Sequence, residues 1–133
     1  MQFTFSNMLS KITINEKIQE INGRPWTPVE VARMNDQVVR MALCRWEYHW
    51  HKHTQEDELF FSVQGKVTIQ FENEPDVLLE EGNLLVVPKG INHCPKSNED
   101  CYVLVFEPLK TVSIGDWYQI LLFFPFNHLK KFF

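Results

Sequence analysis

Three histidines occupy alternating positions in the segment His49-Trp50-His51-Lys52-His53. Successive side chains of a strand point to opposite faces, so an extended segment would place these three imidazoles on one face. Glu58 follows shortly afterwards, and His93 comes after the turn-rich segment 88–92. Imidazole and carboxylate groups together are typical ligands of divalent transition metals. The pattern therefore indicates a metal site, provided that the segment carrying His93 lies beside the histidine run.

These residues belong to two longer spaced patterns. The first is His51-x-His53, four residues, Glu58, six residues and Gly65, and the second is Gly82, five residues, Pro88-x-Gly90, two residues and His93. The spacing resembles that of the cupin superfamily, whose motifs run G-x5-H-x-H-x3,4-E-x6-G and G-x5-P-x-G-x2-H-x3-N. Arg45 stands where the first motif begins with glycine, and Ser97 stands where the second ends with asparagine.

The resemblance implies which residues bind the metal. In the alternative alignment His49 and His51 would pair with Glu56, but the closing turn would then fall on Val63, which cannot replace the glycine. By resemblance, the ligands of one divalent metal at the mouth of a barrel would be His51, His53, Glu58 and His93. Such a ligand set suits Fe, Mn, Ni, Co, Cu or Zn, and its residues do not determine which of them binds.

Short β-rich segments separated by turn residues predict an all-β body that holds these ligands. The predicted strands are Val29–Met34, Gln37–Cys44, Trp46–His53, Glu58–Val63, Lys66–Phe71, Val77–Glu80, Leu84–Val87 and Cys101–Glu107. One helix is predicted over Ile12–Ile21. Because some strands alternate and others are apolar on both faces, a barrel or a two-sheet arrangement is favoured. The resemblance specifies it as a double-stranded β-helix, or jelly roll.

Residues next to the ligands receive structural interpretations. Phe60 and Ser62 share the facing of Glu58 and are predicted to line the pocket, whereas Trp50 alternates away and is predicted to pack in the core. His49 is interpreted as an ordinary strand histidine. The three cysteines, Cys44, Cys94 and Cys101, show no disulfide or zinc-ribbon spacing and are interpreted as buried structural thiols.

Composition limits the possible roles. The chain has 133 residues and a formal net charge of −4, which is expected for a single domain without a basic surface for nucleic acid. Neither a signal peptide nor a membrane-spanning stretch is predicted, and the cysteine pattern favours a reduced, cytoplasmic setting. We expect an N-terminal segment over 1–28, a barrel over 29–116 and a tail over 117–133.

The tail is rich in aromatic residues, since five of the eleven phenylalanines lie in the last eleven positions. Three interpretations remain open. The tail packs on the barrel as an extra element, forms an exposed patch for a homodimer or another partner, or has not been selected for folding.

The residues and the resemblance together imply a small metal-binding protein that acts on a small molecule by isomerisation, hydrolysis or dioxygenation. The alternative is a non-catalytic module that binds a sugar or another metabolite. No general acid or base stands out, and Glu56 and His49 are candidates only by proximity. Nucleic acid and membrane are not expected as partners, and a homodimer is possible.

Overall fold

The computed structural model describes residues 9–111 of the chain. These residues form one helix and seven strands. They are α1 (Ile14–Ile21), β1 (Val29–Met34), β2 (Gln37–Glu47), β3 (Glu58–Gln64), β4 (Val67–Phe71), β5 (Val77–Leu79), β6 (Leu84–Val87) and β7 (His93–Pro108). The described chain is therefore mainly β, with one short helix, as the sequence predicts. No helix within residues 9–111 is both long and apolar enough to span a membrane.

All strand pairs are antiparallel, and β7 is the central strand. The main sheet has the order β1-β2-β7-β3-β6, while β4 pairs with both β5 and β7. β7 is able to pair with three strands because its second half lies between β2 and β3, whereas its first half lies beside β4. The long β7 therefore connects the main sheet to the β4–β5 pair.

Two groups of buried apolar residues stabilise this arrangement. The inner group fills the space between the strands and contains Cys44, Phe60, Val67, Ile69, Leu79, Val87, Cys101 and Val103. The second group lies where α1 packs on the sheet and contains Ile21, Val29, Met41 and Leu43. Alternation along β2 produces this division, because Met41 and Leu43 face the helix while Ala42 and Cys44 face the interior.

Several strand ends differ from the prediction by one to three residues, and three differences concern the start of an element or a whole strand. The helix begins at Ile14 rather than Ile12, with Thr13 as the preceding N-cap residue. The predicted strand Trp46–His53 is wrong, because β2 continues through Glu47 across an irregularity next to Trp46, whose φ is 61°. The final strand begins at His93, not Cys101. Polar residues 96–100 resemble a turn in sequence, but their backbone pairs partly with β2 and β4.

The prediction that Trp50 packs in the core is also wrong, since its exposed fraction is 37%. The regular alternation used for that prediction fails because β2 ends at Glu47, before this residue. The three cysteines are free and buried, in agreement with their structural interpretation. The predicted boundaries of the barrel and tail extend beyond residue 111, so the tail from Trp117 lies outside the described residues.

Candidate metal centre

The four predicted ligands come from three separate parts of the chain. Glu58 is the first residue of β3 and His93 the first of β7, while His51 and His53 lie in the segment between β2 and β3. His51 and His93 exchange two backbone hydrogen bonds, with N···O distances of 3.0 and 2.9 Å. The backbone N–H of Gly90 donates to the carbonyl oxygen of His53 at 2.7 Å. Backbone pairing therefore brings the two histidine segments together.

The side chains of these residues form one buried cluster. One ligand atom from each of His51, His53, Glu58 and His93 lies within 4.8 Å of the corresponding atoms of the others. The Nε2 atoms of His53 and His93 are each 3.4 Å from a different carboxylate oxygen of Glu58. Each of the four residues has an exposed fraction of 4% or less. The sequence therefore correctly predicted that these four residues converge.

Local backbone carbonyl groups orient two of the rings. Nδ1 of His51 lies 2.9 Å from the carbonyl oxygen of His49, and Nδ1 of His93 lies 2.9 Å from that of Ile91. A carbonyl oxygen can only accept a hydrogen bond, so Nδ1 must carry the hydrogen in both rings. In a neutral imidazole this leaves Nε2 with a lone pair. The hydrogen-bonding pattern is the one that commonly orients metal-binding histidines.

Burial favours the protonation states that bind a cation. Burial, and next the neighbouring His93, lower the pKa of His51 to about 3, so this imidazole is neutral near pH 7. Burial raises the pKa of Glu58, but the contacts from His53 and His93 outweigh it and hold that pKa well below its ordinary value. The cluster therefore presents lone pairs and a carboxylate rather than excess positive charge.

The donor set, and two of the separations between its atoms, match those of a site for one transition metal ion. Atoms bound at about 2.1 Å to one ion lie roughly 3.0–3.5 Å apart when the angle between them is near 90–110°. The two 3.4 Å separations between histidine nitrogens and Glu58 fall in this range. Three nitrogen ligands and one oxygen ligand favour a transition metal over Mg²⁺ or Ca²⁺, which prefer oxygen ligands.

A cavity opens beside the cluster into the interior of the barrel. The volume of this cavity is about 60 Å³. Its walls are formed by Trp26, Pro28, Arg40, Ala42, Cys44, Tyr48, His51, Glu58, Phe60, Pro95, Val103, Val105 and Glu107. Most of these side chains are apolar or aromatic, and Tyr48 stacks on Trp26 with ring centroids 4.7 Å apart. The two predicted ligands His51 and Glu58 therefore adjoin a small cavity with mainly apolar walls.

A second buried carboxyl group, which the sequence reasoning missed, also lines this cavity. Glu107 lies on β7 opposite Glu58, because the adjacent residues Leu59 and Phe106 are paired. Burial, and next the neighbouring Glu58, raise the pKa of Glu107 to about 9, whereas Arg40 lowers it. Alternation could have identified Glu107, since Cys101, Val103 and Val105 place the odd-numbered residues of β7 on the inward face.

Other predicted site residues have different positions. His49 is half-buried and lies outside the four-residue cluster, although its ring centroid is 5.1 Å from that of His51. Glu56 is also outside the cluster. Phe60 lines the cavity as predicted. Ser62 is buried, but its hydroxyl group donates to the carbonyl oxygen of Gly65 at 2.7 Å and the residue is not part of the cavity wall.

Comparison with known proteins identifies relatives of this chain. Uncharacterized protein YdbB of Bacillus subtilis is 30% identical over 92 residues, which cover 69% of this chain and 78% of that protein. A 3-hydroxyanthranilate 3,4-dioxygenase 2 of Aspergillus fumigatus is 30% identical over 90 residues, or 63% of this chain. The match covers 48% of that dioxygenase, so the chain spans about half of its length.

Solved structures show the same fold. A cupin-2 domain containing protein from Shewanella frigidimarina has a TM-score of 0.69 and 32% identity, over 73% of this chain and 93% of that one. Protein NMB1881 from Neisseria meningitidis has a TM-score of 0.68 and 25% identity, over 74% and 99% respectively. The family model for the cupin domain matches residues 38–107. With its antiparallel jelly-roll fold and its histidine–glutamate cluster, this chain belongs to the cupin superfamily.

Proposed function

We propose that this protein binds one divalent transition metal ion through His51, His53, Glu58 and His93 and catalyses a reaction of a small molecule in the adjoining cavity. The observation that carries the proposal is the buried convergence of three imidazoles and one carboxylate. The Nδ1–H groups of His51 and His93 are already occupied by backbone carbonyl oxygens, which leaves Nε2 of each ring for the ion.

When bound, the metal would act as a Lewis acid or as a redox centre. The protein's own residues supply the remaining features. Glu58 and the neutral imidazole of His51 form the part of the cluster that adjoins the cavity. Trp26 and Phe60 provide apolar walls that exclude water and position an organic molecule next to these ligands.

The relationship to a dioxygenase makes oxygen consumption the first reaction to assay. The supporting match spans only about half of that relative, so it supports the type of chemistry rather than its substrate. Isomerisation and hydrolysis by a metal Lewis acid are assayed next, on the small molecules that were used in the oxygen assay.

Metal content tests the proposed centre directly. We expect untagged protein, incubated separately with Fe, Mn, Ni and Zn salts and then desalted, to retain close to one ion per chain by elemental analysis for at least one metal. His51→Ala should reduce this content at least tenfold because it removes a buried nitrogen ligand. His49→Ala is the matched control, since His49 lies outside the cluster, and it should retain wild-type content. Less than about a tenth of an ion per wild-type chain for all four metals would contradict the proposal.

Turnover assays distinguish an enzyme from the alternative, which is a non-catalytic binding module. Conversion of small molecules by the metal-loaded wild type, but not by His51→Ala, would support catalysis. Specific binding without metal-dependent conversion of any compound would instead favour the binding module.

A further inference from the structure

We propose that the hydroxyl group of Tyr48 selects a small carboxylate in the cavity beside the metal centre, by donating a hydrogen bond to one of its oxygen atoms. This inference rests on the proposed function, since it concerns the molecule bound next to the metal. Tyr48 lies outside the four-residue ligand cluster but lines the same cavity as His51 and Glu58.

Two contacts hold Tyr48 at the cavity wall. Its backbone N–H donates to the carbonyl oxygen of Pro95 on β7 at 3.0 Å, and its ring stacks on that of Trp26 with an interplanar angle of 26°. The indole N–H of Trp26 in turn donates to the carbonyl oxygen of Arg45 at 2.8 Å, and its backbone N–H donates to that of Leu43 at 2.9 Å. The stacking partner is therefore anchored to β2, and the Tyr48 ring cannot turn away from the cavity without losing this stack.

The side chain of Tyr48 also lies against the metal-binding cluster. Its ring meets that of His51 edge to face, with centroids 5.4 Å apart and an interplanar angle of 87°. Burial, and next the carboxylate of Glu58, raise the pKa of the Tyr48 phenol, so the hydroxyl group lies within electrostatic reach of that carboxylate. Among residues 9–111 the structure shows no hydrogen bond made by this hydroxyl group. A molecule bound between Tyr48 and the cluster can therefore accept one from it.

A carboxylate suits this position because of its charge and its acceptor oxygens. A tyrosine has an ordinary pKa of about 10, so near pH 7 its hydroxyl group carries a hydrogen to donate. One carboxylate and three neutral imidazoles balance only part of the charge of a divalent ion, which favours an anionic ligand. Arg40 contacts Glu107, so these two wall residues add no net negative charge to the cavity.

The size and lining of the cavity limit the rest of the molecule. Its volume is about 60 Å³. Since one water molecule needs roughly 10–15 Å³, there is room for a group of roughly four to six non-hydrogen atoms. The walls formed by Phe60, Val103 and Val105 are apolar. A short-chain carboxylate, or the carboxylate end of a larger molecule, matches these properties.

The test compares two small anionic probes in metal-loaded protein. Acetate has two acceptor oxygens, whereas ethanethiol, which binds metal ions as its thiolate, has only a weakly accepting sulfur atom. The affinity for each probe is measured by calorimetry in wild type and in Tyr48→Phe, which keeps the ring and its stack but lacks the hydroxyl group. We expect Tyr48→Phe to bind acetate about tenfold more weakly than wild type, the effect of losing one hydrogen bond to a charged group, and to bind ethanethiol within about twofold of wild type.

Two further variants separate selection from general damage. Tyr102→Phe is the matched control, because Tyr102 packs against the apolar group beside α1 and is not part of the cavity wall, so it should bind both probes as wild type does. Trp26→Leu removes the stack that holds Tyr48, so it should weaken acetate binding more than ethanethiol binding. It keeps the proposal testable if Tyr48→Phe does not fold.

The outcomes distinguish this inference from the proposed function. Wild-type protein that retains no metal would overturn both. Metal-loaded wild type that does not bind acetate would overturn only the inference. So would Tyr48→Phe with unchanged acetate affinity, equal weakening of both probes, or a loss of acetate affinity shared by Tyr102→Phe, since each result would leave the Tyr48 hydroxyl group without a role in selection.

Discussion

The tautomers of His51 and His93 are determined by backbone groups only two residues away. The carbonyl groups of His49 and Ile91 each accept from the Nδ1–H group of the histidine that follows in the chain. A short local interaction therefore decides which ring nitrogen faces the cluster. Substitution of the side chains of His49 or Ile91 would leave these carbonyl groups in place, so the ring orientation depends on backbone geometry rather than on neighbouring side chains.

Protonation of His51 gives a pH-dependent prediction for the metal-free protein. The pKa of this imidazole falls from 6.5 to about 3 on folding, so the unfolded chain binds more protons in the interval between these values. The free energy of unfolding should consequently decrease as the pH falls below about 6.5, by up to about 1.4 kcal/mol per pH unit from this group.

Urea unfolding at a series of pH values between 7 and 4.5 measures this effect. His51→Gln, which cannot be protonated, should show a flatter dependence in that interval than wild type. His49→Gln serves as the control and should retain the wild-type slope. Identical slopes for wild type and His51→Gln would contradict the assigned state of His51.

At the scale of elements, the turn between β3 and β4 has the strictest residue requirement. Gly65 has a φ of +87°, and an added Cβ atom would lie 2.5 Å from the carbonyl oxygen of Asp100. Gly82, in the turn before β6, has the same φ but no atom within 4 Å of such a Cβ. Gly65 and Gly82 thus share a backbone conformation that disfavours side chains, and of these two only Gly65 is also limited by close contact.

This difference predicts unequal effects of alanine. Gly82→Ala should lower the free energy of unfolding by about 1–2 kcal/mol, because of its backbone conformation alone. Gly65→Ala should lower it by a further 1–3 kcal/mol, since Asp100 or the turn must move. Denaturant unfolding of both variants gives the comparison, and equal losses would show that the turn absorbs the contact without cost.

On the scale of the whole molecule, the outer face of the main sheet is unusually apolar. Leu84 and Val86 on β6 and Phe106 on β7 are 60%, 47% and 41% exposed. Val86 and Phe106 both pair with Leu59 of β3, so they form a continuous row across three strands. Apolar patches of this kind often form protein interfaces. We propose that a second copy of the chain covers this face.

Light scattering coupled to gel filtration tests the proposed dimer. Wild type should elute with about twice the chain mass of 15.8 kDa. Val86→Lys should shift it towards the monomer by placing a charge in the apolar row. Met34→Lys is the control, because Met34 is 70% exposed on β1 at the opposite edge of the sheet, and it should not change the mass. A monomeric wild type would contradict the proposal.

Local sequence patterns account for the part of this architecture that was predictable. Contacts between residues distant in the chain account for the part that was not. The spacing of His51, His53 and Glu58 and the turn glycines are local features, and the resemblance to the cupin motifs added the distant His93, so the cluster and most strands were predictable. The irregularity at Trp46 was not, because it depends on the pairing of β2 with β7. The contact between Arg40 and Glu107 was missed for a similar reason, since it joins residues that are distant in the chain, although alternation along β7 would have placed Glu107 on the inward face.

β7 also determines when the cavity can form. It is the last strand of the described chain and pairs with β2, β3 and β4, so the sheet depends on contacts between residues far apart in sequence. Folds dominated by such contacts generally form slowly. His93 begins this strand and Glu107 lies near its end. During synthesis, the nascent chain must therefore release all of β7 before the cluster and its cavity can be completed.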